Sequence, residues 1–266
     1  MLPILFLLFI LLLVFIKHRS SNFGENNNIC VLNKLDVLRV YTFDKKIRYG
    51  SKGDGGYVLA DLDGGYDCYI SAGVSDEESF SRDFINKYNT DKSVNFAFDG
   101  TILFYPYNYT KKITFIKKNI GVVNNNNETN LSFLTDTYNN IFLKIDIEGG
   151  EYPWLFSLSE ETLKKFKQIV IEFHGITDNE WNCNLSDKIK CLEKLSNTHY
   201  IVHAHGNNWG KVFNNIPDVI ELTYINKNYF DSVPELNTHQ LPDPYIDFPN
   251  RHSFPDINLN FTPFVN

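Results

Sequence analysis

Apolar positions divide the chain into a continuous hydrophobic head, a long stretch of alternating strand-like and helix-like segments, and a tail without hydrophobic period. Leu2 to Ile16 are apolar except for Pro3, and Lys17, His18 and Arg19 follow at once. Such residues favour a bilayer by roughly 0.3–0.6 kcal/mol each. The run is shorter than the ~20 residues that span a hydrocarbon core, so Lys17 and Arg19 would have to snorkel. Met1-Leu2-Pro3 has no basic side chain and no Ala-x-Ala follows. Residues 1–19 therefore read as an uncleaved N-terminal transmembrane anchor, with a cleaved signal peptide as the rival.

Residues 20–40 read as a polar tether and a short helix, with Val31, Leu35 and Leu38 on one side. An α/β domain is expected over 41–226. Tyr57–Ala60 and Tyr66–Ile70, joined by Asp63-Gly64-Gly65, predict a hairpin. Glu77–Tyr88 predicts a helix, Val94–Phe98 and Ile113–Ile116 strands, and Asn124–Asn130 a polar loop. Ile141–Ile147 is a nearly continuous apolar strand broken by Lys144 and Asp146. Glu160–Lys167 and Asp187–Leu195 predict helices, and Ile169–Phe173, His199–His205 and Val219–Ile225 strands. Alternation of this kind argues a largely parallel sheet. Residues 227–266 are Pro-rich and read as a tail packed on the surface.

Composition narrows the function. The chain has 266 residues, 43% of them hydrophobic, and a net charge of 25 − 32 = −7, which excludes wholesale disorder and a general nucleic-acid binder. Cys30, Cys68, Cys183 and Cys191 form no Cys-x-x-Cys pair, so no zinc ribbon or thioredoxin motif is expected. The basic flank of the head favours a cytosolic body by the positive-inside rule. Sequons at Asn108, Asn127, Asn130, Asn184 and Asn260 would suit a lumenal one, but an Asn-rich chain acquires sequons by chance.

In an open α/β sheet, ligands sit beyond the carboxyl ends of the strands. After Tyr69-Ile70 comes Ser71-Ala72-Gly73-Val74-Ser75-Asp76, where Gly73 permits close backbone approach. Asp76, Glu77 and Glu78 at the helix start would repel phosphate, so the loop suits a cofactor with a cationic centre. Asp99 ends the next strand, where an acid holds a ribose diol in Rossmann-like sites, or else simply opens a turn before Gly100. The run Ile141-Phe-Leu-Lys-Ile-Asp146-Ile-Glu148-Gly-Gly-Glu151 puts three carboxylates at the end of a buried strand. Asp146 and Glu148 share a strand face and repel unless a cation or donor lies between them. Glu172 and His174 alternate on a later strand, as do His203 and His205. Together with Asp146 these four suit a divalent metal, while hydrogen-bonded histidines at strand ends are the plainer reading; no metal is expected.

Phe142-Leu-Lys-Ile-Asp-Ile-Glu-Gly-Gly-Glu151 resembles a strand motif of FkbM-family S-adenosylmethionine-dependent methyltransferases. Asp54-Gly-Gly-Tyr-Val-Leu59, the Gly73 loop to Phe80, Phe98-Asp-Gly-Thr-Ile102, Ile171-Glu-Phe-His174 and Ile216-Pro-Asp-Val-Ile-Glu-Leu-Thr223 extend the resemblance over about residues 48–225. The departure is the first loop, which keeps one glycine where the broader class carries an acid and two or three. The resemblance implies a Rossmann-like, seven-stranded class I methyltransferase sheet and methyl transfer to oxygen, often on a sugar or glycan-like acceptor. If it holds, the cofactor site falls at Gly73, Ser75, Asp76, Asp99 and Asp146, and the strand-end residues Asp146, Glu148 and His174 are the catalytic candidates, with His174 the preferred base. Two other readings are a metal-dependent hydrolase or glycosyl transferase, and a non-catalytic binding module on the same fold.

Overall fold

Strand and helix alternate because each apolar run must be covered on both faces, and the amphipathic stretches between supply the cover. The computed structural model describes residues 35–88, 90–106, 111–181 and 183–266, of which Val37–Asn266 form one unit. The expected anchor and most of the tether lie outside the described residues. Among the described residues no helix is long and apolar enough to cross a membrane. A 3-10 turn, Leu35–Leu38, stands where a short helix is expected.

Nine strands carry the architecture: β1 (Lys46–Tyr49), β2 (Tyr57–Ala60), β3 (Cys68–Ala72), β4 (Asn95–Phe98), β5 (Thr114–Ile116), β6 (Ile141–Ile145), β7 (Phe166–His174), β8 (His199–Gly206) and β9 (Val219–Asn226). Helices are α1 (Ser79–Tyr88), α2 (Ser132–Thr135), α3 (Glu151–Ser157), α4 (Glu160–Leu163) and α5 (Leu185–Thr198). Seven strands form one mixed sheet in the order β8-β9-β7-β6-β3-β4-β5, in which β9 runs antiparallel to both neighbours and the other pairs are parallel. From β3 the chain winds outward through β4 and β5, then returns to β6 on the other side of β3. That reversal opens a crevice at the carboxyl ends of β3 and β6.

Period-2 alternation sorts the faces. Phe142 of β6 and Val170 of β7 face a core with Tyr69, Phe80, Phe84 and the hairpin residues Tyr57 and Leu59. Phe84 stacks on Tyr69 at 4.4 Å between centroids and lies 4.3 Å from Phe142. Each fully buried aromatic of this kind contributes roughly 1.5–3 kcal/mol. On the opposite face Tyr152 of α3 stacks on Phe173. There α5 buries Leu185, Ile189, Leu192 and Leu195, and Asn184 caps it by accepting from the Asp187 N–H at 3.0 Å.

Most element ends shift by one to three residues from the sequence reading, and three differences bear on the site. Tyr57–Ala60 pairs with Lys46–Tyr49 rather than with the run to Ile70, which becomes the central strand β3. Gln168 explains the preference: its amide accepts from the Ala60 N–H and donates to the Ala60 carbonyl, fastening β2 across β7. The expected Glu160–Lys167 helix stops at Leu163, because Phe166 already pairs with Ile141. The strand expected to Ile147 ends at Ile145, leaving Asp146 and Glu148 in the turn beyond it.

The tail does more than wrap the surface. It buries Leu241, Leu259 and Phe264 completely and brings carboxylates to two buried histidines. His203 Nε2 lies 2.9 Å from Asp247 Oδ1, while His205 contacts Glu221 at 3.0 Å through Nδ1 and Asp256 at 3.0 Å through Nε2. An imidazole can donate from both nitrogens only when protonated. Burial pushes His205 down, but Glu221 and Asp256 outweigh it and lift its pKa to about 10. The folded value lies above the unfolded one of about 6.5. This contribution is therefore complete below pH ~6.5 and is lost as pH rises through about 10. Thermal melting of the native protein should fall between these limits by more than that of His205→Gln; parallel curves would refute the assignment.

Candidate active site

The crevice at the switch point is a cleft of about 530 Å³, within the usual range of small-molecule sites. Its wall takes residues from the ends of successive strands: Gly73–Glu77 after β3, Phe98, Asp99 and Thr101 at the end of β4, Lys118–Ile120 after β5 and Asp146–Glu148 after β6. Asp54 and Tyr57 close it from the β1–β2 turn.

Gly73 has φ +78°, and a Cβ there would sit 1.5 Å from the Asp146 carbonyl oxygen. Its N–H donates to the Phe98 carbonyl at 3.0 Å, and the Asp146 N–H donates to the Ala72 carbonyl at 3.0 Å. The glycine is thus required by backbone packing between strand ends, in addition to any room it leaves for a ligand. Lys144, the cation that interrupts the apolar strand, is buried beneath this loop. Its Nζ donates to the Gly73 carbonyl at 2.7 Å and lies 5.2 Å from the Tyr57 ring centroid. In the sequence Lys144 reads as an interruption, yet a lysine inside a fully buried strand is itself a signal.

Asp99 is buried and organises the loop. Oδ2 accepts from the Val74 and Ser75 N–H groups at 3.0 and 2.9 Å, and Oδ1 from the Thr101 N–H and hydroxyl at 2.7 and 2.6 Å. Burial alone would raise its carboxyl; the hydrogen bonds from Thr101, Ser75 and Val74 hold it below the usual range. Its oxygens are thus engaged by the chain, as the turn reading of Asp99 expects, and a ribose diol would have to share them with these donors. Ser75, at φ +48°, turns the loop, and Asp76 stands exposed at its tip. Glu78 lies outside the cleft. It is buried beneath α1, where it accepts from Ser71, Ser81 and Tyr105 hydroxyls. Burial, partly offset by Lys144 and these hydroxyls, lifts its pKa to about 7.

Asp146, Glu148 and His174 come together as the sequence pattern suggests. Glu148 and Gly149 both have positive φ, +53° and +87°, and this turn holds the exposed Glu148 carboxylate over the end of β7. His174 Nε2 is 3.3 Å from Glu148 Oε2 and 3.9 Å from Asp146 Oδ1. The Tyr57 hydroxyl donates to Asp146 Oδ2 at 2.9 Å. Buried Glu172, directly behind, is 3.4 Å from His174 Nε2 and accepts from the Asn207 amide at 3.0 Å. Burial raises the Glu172 carboxyl well above its ordinary range, and the charges of Asp146 and Glu221 add to this.

His203 and His205 do not join this group, so the five-residue metal set drawn from the sequence is not assembled. Strand β9 lies between β7 and β8 and places Glu221 between Glu172 and His205, and the tail carboxylates engage both histidines. Cys68, Cys183 and Cys191 are free thiols.

A second cleft of about 360 Å³ adjoins the first and shares Asp54, Asp146 and Glu148 with it. Glu172 and His174 form its floor, and Trp181, Trp209 and Lys211 its rim. Tyr57, on β2 at the first cleft, and Trp181 and Trp209, on loops at the second, carry no local sequence signal for the site, because segments remote in the chain bring them there.

The sequence model of the family described as "methyltransferase FkbM domain" matches residues 63–206. No curated protein matches the chain.

Proposed function

Given that the chain belongs to the methyltransferase FkbM family, we propose that it transfers the methyl group of S-adenosylmethionine to an oxygen of a small or glycan-like acceptor. The observation that carries this reading is the junction of two clefts at Asp146 and Glu148, one cleft for the methyl donor and one for the acceptor.

Donor-cleft chemistry supports a sulfonium ligand: Asp54, Asp76, Glu77, Asp146 and Glu148 line it against Lys118 and Lys144. S-adenosylmethionine supplies an electrophilic methyl on a cationic sulfur. Gly73, Ser75 and Asp76 would hold it through the backbone edge of their loop, with Asp99 acting through the loop it clamps. Lys144 fixes the Gly73 carbonyl, and Tyr57 fixes Asp146. The acceptor enters between Trp181 and Trp209, and its hydroxyl proton passes to the Glu148–His174 pair. Holding donor and acceptor in line is the main contribution expected of the chain, since orientation alone can supply several kcal/mol. Residues 2–16 would tether the body to a membrane, the side being set by the flank charges or by a signal-anchor.

Titration calorimetry with S-adenosylhomocysteine tests the reading. Binding is expected, and its absence at high micromolar ligand would overturn it. Asp99→Ala removes charge-assisted hydrogen bonds worth roughly 1.5–3 kcal/mol each. It should weaken that binding by at least about tenfold, through loss of loop order, while the thermal transition remains cooperative. Unchanged affinity would remove Asp99 and its loop from the site.

A further inference from the structure

Three carboxylates converge on one imidazole where the clefts meet. Asp146, Glu148 and Glu172 present oxygens 3.9, 3.3 and 3.4 Å from His174 Nε2. Such crowding is relieved by a protonated imidazole, which these carboxylates favour, by protonation of buried Glu172, or by a cation held between the groups. The nearby lysine of the donor cleft, Lys144, is committed to the Gly73 carbonyl.

A second observation comes from His174 itself. The residue is 5% exposed, and its Nδ1 makes no well-aligned hydrogen bond, its one neighbour there being the Glu151 carboxylate on the side away from Asp146 and Glu148. Buried ring nitrogens are normally paired. Glu151 Oε1 lies 3.4 Å from that Nδ1, an ion-pair contact, and Trp181 packs against the ring at 5.2 Å between centroids. A carboxylate beside one ring nitrogen, with the other nitrogen aimed at a group of acids, is how proteins orient a metal-ligating histidine. One ligand atom each from Asp146, Glu148 and His174 lies within 4.8 Å of the others. Donors around an ion at roughly 2.0–2.2 Å stand about 3–4 Å apart, so modest side-chain rotation closes the set.

We propose that Asp146, Glu148 and His174 bind one divalent first-row cation at the mouth of the acceptor cleft. Imidazole with two carboxylates suits manganese-like or zinc-like ions better than calcium, which takes oxygen ligands throughout. The purpose assigned to the ion rests on the methyl-transfer reading: it polarises the acceptor hydroxyl. The O–H bond breaks with its proton going to the second oxygen of Glu148. The C–O bond forms as the C–S bond breaks, the electron pair staying on sulfur. His174 is then a ligand rather than the proton acceptor.

The test is a titration of the full chain, stripped with chelator and dialysed, with Mn²⁺ followed by its electron paramagnetic resonance signal. One Mn²⁺ per chain is expected, weakened at least tenfold by Glu148→Gln and by His174→Gln, and unchanged by Glu180→Gln, an exposed acid on the wall of the second cleft that pairs with Lys211 instead. Glu148 is largely exposed, so its variant keeps the test valid if His174→Gln fails to fold. No binding at millimolar Mn²⁺, or binding that Glu148→Gln leaves unchanged, overturns the proposal. S-adenosylhomocysteine calorimetry on the same samples separates the two readings. Cofactor binding without Mn²⁺ binding removes only the cation, and Mn²⁺ binding without cofactor binding removes only the methyl-transfer assignment.

Discussion

Gly73→Ala is expected to destabilise the fold by roughly 2–6 kcal/mol and to abolish cofactor binding. Two costs add. Alanine at φ +78° pays the left-handed penalty of roughly 1–3 kcal/mol. Its methyl group would also lie 1.5 Å from the Asp146 carbonyl oxygen, which is backbone and cannot rotate away. Relief requires β3 and β6 to separate at their ends, breaking the Asp146 N–H bond to Ala72 and displacing the Lys144 contact with the Gly73 carbonyl. Gly65→Ala is the control: it has φ +62° and nothing within 4 Å of its added Cβ, so it should show the dihedral penalty alone. Urea unfolding of both variants measures the difference. Equal destabilisation would mean that the steric argument at the switch point is wrong.

That crevice was half legible in the sequence. The apolar runs ending in Gly73, Asp99 and Asp146 mark strand ends by hydrophobic pattern alone, because a buried parallel strand must stop where polar residues begin. Lateral order is different: nothing in Tyr57–Ala60 says which strand it pairs with. The answer depends on Gln168, over a hundred residues away, whose amide matches the Ala60 backbone. The histidines show the same limit. Alternation correctly puts Glu172 with His174 and His203 with His205, each pair on one strand face. Whether the pairs meet depends on β9 inserting between their strands, a matter of topology rather than period. Asp247 and Asp256 arrive from a Pro-rich tail with no periodic signal at all, yet they complete the histidine environments. Asp99 was placed correctly at its strand end, but its engagement with Val74, Ser75 and Thr101 is visible only once the loop is folded around it.

Glu148→Gln and His174→Gln are each expected to lower kcat by roughly 10²–10⁴-fold at saturating S-adenosylmethionine, the range for groups that handle a proton in the transition state. The double variant should cost little more than either single one. Their contact is the reason: Glu148 Oε2 and His174 Nε2 are 3.3 Å apart, and the strained turn at Glu148 exists to hold that approach. Residues that act as one unit lose their whole contribution when either is removed, so the effects fail to multiply. This holds whether the pair passes a proton directly or grips a cation, and the prediction is independent of the choice. Cofactor affinity should change far less than turnover, because Glu148 touches the donor cleft only at its edge while His174 lines the acceptor cleft alone. Two single-variant losses that multiply in the double variant would show that Glu148 and His174 serve separate steps. Turnover within threefold of the native enzyme in either variant would move the chemistry away from the junction, leaving Asp146 as the acid to examine next.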